Sequence, residues 1–203
     1  MKNDPEYLIW HQGHKYVLAR THSTAVAQAL IEGILNTEIV VSFPDWGAGT
    51  PEDLSAEYLI FDVFKQKIVA GNEPDPSIQR MIRLAHARAE YLLKLELMIN
   101  RYHMRFFGSF DTEFYAWIGT ALARSSPDNL DPMLAEYATI QEIDHASAYY
   151  DLKMRWDSYA MVKMKAFSYF EKFKQLINNC NSSDEMSSVV QKCRYDLYIA
   201  ATI

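Results

Sequence analysis

Cysteine is nearly absent from this chain: Cys180 and Cys193 are the only two in 203 residues. Neither belongs to a Cys-x-x-Cys pair, so a disulfide framework is excluded. Long apolar runs are missing too. The longest, residues 21–31 and 114–123, are about half of the roughly 20 residues needed to span a bilayer. The opening Met-Lys-Asn-Asp-Pro-Glu-Tyr lacks the apolar core of a signal peptide, and the bacterial or host cytosol is the expected compartment. Glycine and proline are scarce, seven of each, and all fourteen lie at or before Pro132. That is too few for a fibrous or linker-like protein. Positive charge is outnumbered, with 20 Lys and Arg against 26 Asp and Glu, a net −6. A surface built wholly for nucleic acid is thereby excluded.

What is present is apolar and aromatic: 49% hydrophobic and 13% aromatic residues, too many for disorder and enough for a real core. Turn-rich sequence followed by breaker-free sequence predicts an α+β, mostly helical protein. A small β-containing region over about residues 1–76 is expected to pack on a bundle of four or five helices over 77–203, and the two parts can form one globular unit.

In the first part, residues 6–10 and 15–20 read as a hairpin around His-Gln-Gly-His. Ser23 caps a helix through Leu35, with Ala25, Ala29, Leu30 and Ile34 on one side. Residues 38–43 read as a strand. Thr50-Pro51-Glu52-Asp53 is a helix-start signal. Residues 58–64 read as strand or helix, with 67–70 as a hairpin mate. In the second part, Ser77 is the expected cap of a helix over 78–107, with Met81, Ala85, Leu92, Leu95, Ile99, Tyr102 and Phe106 in one stripe. A short apolar helix follows from Asp111. Asp131-Pro132 opens a helix that can run to Asn178, and a hidden break is expected near residues 144–147. Ser182-Ser183-Asp184-Glu185 is a capping box before the last helix.

Charge comes in blocks: −6 over residues 1–76, +4 over 77–107, −7 over 108–151 and +3 over 152–203. Arg80, Arg83, Lys94, Arg101 and Arg105 fall near one line at helical spacing. They are candidate contacts for nucleic acid or an acidic partner, unless the 108–151 block neutralises them.

Sequence signals for chemistry are thin. Glu142-Ile143-Asp144-His145 contains the Glu-x-x-His of di-metal helical bundles, but the nearest second copy has Asn100 in place of Glu before His103. Glu142 and His145 are therefore the metal candidates, with Glu90, Glu96 and Glu136 as the further ligands such a site would draw on. His11, His14 and His22 have the spacing of a turn more than of a zinc site. The loop from Phe43 to Pro51 is Gly-rich but lacks the Walker Lys, and Asp45, Glu52 and Asp53 would repel phosphate. Val41-Ser42-Phe43-Pro44-Asp45, with Thr50 and Glu57, is similar to the strand segment of small antitoxins of the HicB type. The helix that should follow is missing, and no function is carried across. No Gly-x-Ser-x-Gly elbow occurs, and neither Cys has an evident His partner. No cofactor is expected.

One segment stands out. Residues 149–173 hold eight of the 27 aromatics and three Met. Leu152, Tyr159, Val162, Phe170, Phe173 and Ile177 form one apolar arc. Tyr150, Met154, Met161 and Met164 form a second line on the other side, spaced 4, 7 and 3, with Asp157 in the gap. Lys153 and Lys165 flank this heptad-like seam. Either another helix of the chain, such as 112–123, covers it, or a partner does. The expected function is therefore regulatory protein binding without enzymatic chemistry: an adaptor, inhibitor or assembly component of phage or mobile-element type, self-associating. A nucleic-acid-associated protein using the 77–107 helix and a metal-dependent bundle enzyme are the alternatives.

Overall fold

The computed structural model describes residues 7–33, 39–42, 57–64, 67–107 and 111–200. Among them the fold is α+β and mostly helical. The strands are β1 (Tyr7–His11), β2 (Val17–Thr21), β3 (Ile39–Ser42), β4 (Leu59–Asp62) and β5 (Lys67–Ala70), with α1 (Thr24–Gly33) between β2 and β3. Five helices follow: α2 (Pro76–Phe107), α3 (Asp111–Leu122), α4 (Pro132–Ile140), α5 (His145–Asn179) and α6 (Ser183–Ala200). The chain divides into two compact units, Met1–Met98 with Phe170–Ile203, and Ile99–Tyr169. Residue 76, the boundary drawn from the sequence, lies inside the first unit. No helix among the described residues is long and apolar enough to cross a membrane.

In the first unit the expected hairpin forms. β1 pairs antiparallel with β2 and also with β3, so β1 is the central strand of a three-stranded sheet. Pairing on both edges leaves the faces to be covered by side chains. Successive residues point to opposite faces, so the burial of Leu8, Ile9 and Trp10 in a row shows that both faces of β1 are covered. The turn closes with Lys15 in the left-handed region, φ 62°. Residues 59–62 settle as strand, paired with β5. Leu8, Trp10, Val17, Phe61 and Ile68 form one core cluster, in which the Trp10 and Phe61 rings lie 4.9 Å apart. The Ser23 hydroxyl caps α1 by accepting from the Val26 N–H at 3.1 Å. The Thr50-Pro51 helix start, the Gly-rich loop and most of the antitoxin-like segment lie outside the described residues.

Ser77 is not the cap of α2. Asp75 is: its carboxylate accepts from the Ser77 and Ile78 N–H groups at 2.9 and 3.2 Å. Pro76 then occupies the first helical position, where its missing N–H costs nothing. Asp131-Pro132 starts α4 in the same way, with the Asp131 carboxylate accepting from the Met133 N–H. At α6 the capping box is shifted. Ser182 accepts from the Glu185 N–H, but Glu185 reaches back to the Asn181 N–H at 2.7 Å, not to that of Ser182.

The second unit holds α3, α4, α5 up to Tyr169 and the last turns of α2. Its core gathers Ile118, Ala121, Leu122, Leu134 and Leu152, with Trp156 packed against them. The expected break between α4 and α5 falls at residues 141–144. The Ile143 N–H bonds the Ala138 carbonyl and the Glu142 N–H bonds that of Thr139. This is a Schellman ending, with Glu142 at φ 54° where glycine is usual. Asp144 then caps α5 by accepting from the Ser147 N–H at 2.9 Å. An L-residue in the left-handed region is strained. Glu142→Gly is expected to raise stability by about 1 kcal/mol, read as a higher thermal midpoint in circular dichroism.

Gly119 in α3 has the opposite role. A Cβ there would meet three indole atoms of Trp156 at 2.7, 2.8 and 2.9 Å. Trp156 is itself held beside Tyr159, ring centroids 5.8 Å apart. Gly119→Ala is therefore expected to lose about 1–3 kcal/mol through overpacking, outweighing the roughly 1 kcal/mol that Ala gains in helix propensity. Urea unfolding followed by Trp fluorescence checks this.

Candidate functional site

Residues 145–169 of α5 present two apolar sides. At about 100° per residue, Ala148, Leu152, Tyr159 and Ala166 share one side, and all are buried. Tyr159 stacks on Tyr115 at 4.4 Å and meets the edge of His103 at 5.3 Å. On the other side Tyr150, Met154, Met161 and Met164 are 56%, 66%, 69% and 69% exposed. Phe167, which the sequence reading left out, is 64% exposed beside them. It lies about 60° from Met164, off the heptad line, on the flank of the stripe.

α3 was the helix named as a cover for this stripe. It packs instead on the inner side, with Ile118 against the Leu152 cluster and Gly119 against Trp156. The rim of the stripe is charged. Lys153 donates to Asp157 at 2.8 Å, one turn along. Lys165 is exposed on the other flank. Asp151 accepts from the Tyr137 hydroxyl at 2.7 Å and pairs with Arg155 at 3.1 Å. Pairs this exposed are worth at most about 1 kcal/mol, so they edge the surface more than they stabilise the fold.

The other sequence candidates are placed differently. Arg80, Arg83 and Lys94 are exposed in the first unit, and Arg101 and Arg105 in the second. Lys94 is engaged by Glu90 in an ion pair, and Arg83 donates to Gln79 at 2.9 Å. Glu142 and His145 do not share a helix. Glu142 sits in the left-handed turn and His145 is the first residue of α5, so the one-turn spacing that a bundle metal pair needs is not met. Among the described residues no group of three or more His, Cys, Asp or Glu is placed to hold a metal ion. His11 is buried, and its Nδ1 accepts from the His14 N–H at 3.2 Å. One ring nitrogen is thus spent on the turn.

A cavity of about 620 Å³ lies in the first unit, between β2, β4 and α2. Apolar Val17, Leu59, Ile82 and Leu93 share its walls with Arg20, His22, Glu57, His86 and Glu90. Of the hydroxyl residues in its wall, Thr21, Ser23 and Tyr58, Ser23 donates to Glu96 at 2.6 Å and accepts from the Val26 N–H. Those bonds make it a helix cap, not a nucleophile. Both thiols are buried. Burial pushes the Cys193 thiol up to about 12 and that of Cys180 in the same direction, so neither is an activated nucleophile near neutral pH. No protein-family model matches the chain, and no curated protein or solved structure matches it either.

Proposed function

We propose that this chain is a non-enzymatic binding protein, an adaptor, inhibitor or assembly component, that engages another protein through the outer stripe of α5. The observation that carries this reading is the exposure of Tyr150, Met154, Met161 and Met164 on a helix whose opposite side is already buried. Clustered exposed apolar side chains on a folded protein mark interaction surfaces. Methionine adapts its shape to a partner, and Lys153, Asp157 and Lys165 supply the polar rim such contacts have. Two buried free thiols suit a reducing compartment, in line with action in the cytosol.

The test is site-specific photo-cross-linking in cells that make the protein, with a benzophenone amino acid replacing Met161. A discrete protein adduct, absent when the probe replaces exposed Glu136 on α4, is the expected result. Absence of any protein adduct at 161 would contradict the reading.

A further inference from the structure

We propose that the occupant of the α5 stripe is a second copy of this chain, laid antiparallel across it about a two-fold axis. The inference rests on the reading of that stripe as a protein-binding surface and names its partner.

The stripe runs Tyr150, Met154, Asp157, Met161, Met164 and Ser168, alternating four and three residues apart, which is the seam of a two-stranded coil. In the antiparallel register that places Met154 opposite Met164 of the second copy, the pattern is its own complement. Asp157 then lies opposite the second Met161, and Tyr150 opposite the second Ser168. The same register sets Asp151 beside the second Lys165 on one flank, and the two-fold repeats the pair. Asp151 already takes hydrogen bonds from Tyr137 and Arg155, and a carboxylate with about four lone-pair sites has room for one more. On the other flank Lys153 meets the ring of the second Phe167, a cation–π geometry. Ala160 lies beside its own copy near the axis, where a small side chain lets the helices approach.

A parallel, in-register dimer fails the same comparison. It would set Asp157 against Asp157 in the seam, and its flanking pairs, Lys153 with Ser158 and Ala160 with Lys165, hold no opposite charges. In the antiparallel arrangement each Asp157 keeps its own Lys153, 2.8 Å away. A polar residue at one seam position costs stability and fixes the register. The seam from Tyr150 to Ser168 is ~27 Å long at 1.5 Å per residue. One helix pair of that length buries less than the ~1,600 Å² of a standard interface, so the dimer is expected to dissociate on dilution.

Variants with one added surface cysteine test the register, since native Cys180 and Cys193 are buried. Under mild oxidation Met154→Cys alone and Met164→Cys alone should each stay unlinked, while their equal mixture should give a disulfide-linked dimer of twice 23.5 kDa. In sedimentation equilibrium the wild type should be a reversible dimer, and Lys165→Glu should weaken it about three- to tenfold, the size expected from two lost flanking pairs. Linked dimers from either single variant would overturn the antiparallel register. A wild type that stays monomeric at millimolar concentration, with no linkage in the mixture, would overturn the second copy as occupant. If the Met161 probe still captures another protein in that case, the protein-binding reading stands and this inference alone falls.

Discussion

Tyr159→Ala is expected to cost about 3–5 kcal/mol, and Met161→Asp, two residues further along the same helix, about 0.5 kcal/mol or less in dilute solution. The contrast follows from the two sides of α5. Tyr159 is 1% exposed, stacked on Tyr115 and flanked by Trp156 and His103. Removing its ring leaves a cavity walled by aromatics that are fixed elsewhere. Met161 is 69% exposed, so a carboxylate there stays in water and displaces no packing. Urea denaturation of both variants measures the difference. If Met161→Asp loses as much stability as Tyr159→Ala, the outer stripe is core after all.

The second large effect is expected at Lys174, in the first unit. It is 7% exposed, yet its ammonium lies 2.8 Å from Glu32 and 2.6 Å from Glu171, tying the C-terminal part of α5 to α1. Burial alone would lower its pKa. Hydrogen bonds to Glu171 and Glu32 outweigh that and hold it above its ordinary 10.5. The Lys174 hydrogen bond in turn holds the Glu32 carboxyl below its ordinary 4.5. Lys174→Ala is expected to cost about 1–3 kcal/mol, less than the 3–5 typical of a fully buried pair, because both carboxylates are partly exposed and can rehydrate.

The sign of the pH dependence follows from those directions. A carboxyl whose pKa is depressed on folding contributes stability that is complete above its unfolded value and lost as pH falls through the folded one. An ammonium whose pKa is raised contributes stability that is complete below its unfolded value and lost as pH rises through the folded one. The gap between wild type and Lys174→Ala is therefore expected to be widest between about pH 5 and 10 and to narrow as pH falls below 4.5 through the depressed Glu32 pKa. Denaturation midpoints at pH 3.5 and 7 check this. A gap of equal size at both would remove the Glu32 carboxylate from the account.

Much of the fold was legible in local chemistry. The starts of α1, α3 and α4 were written in Ser23, Asp111 and Asp131-Pro132, whereas the β-branched and aromatic run over 58–64 fitted strand or helix, and only its pairing with β5 decides for strand. Other features were hidden because they depend on what touches what. The break after Ile140 uses Glu142 in place of glycine, so no breaker marks it. Ser77 looked like a cap, but Asp75 outcompetes it because a carboxylate two residues back reaches two N–H groups at once. Phe106 shares the helical stripe of Ile99 and Tyr102, yet it is 43% exposed. The α5 seam itself was readable from its spacing. Its exposure was not, because that depends on Gly119 drawing α3 onto Trp156 on the opposite side.

The central claim is that α5 is core on one side and a protein-binding surface on the other. Its most direct test is to isolate wild-type and Met161→Asp proteins side by side from the same cells and compare thermal midpoints in dilute solution with the protein bound to each, their own chain included. The account predicts matching midpoints and loss of the bound protein from the variant. A variant that melts well below the wild type, or that keeps the same bound protein, would contradict it.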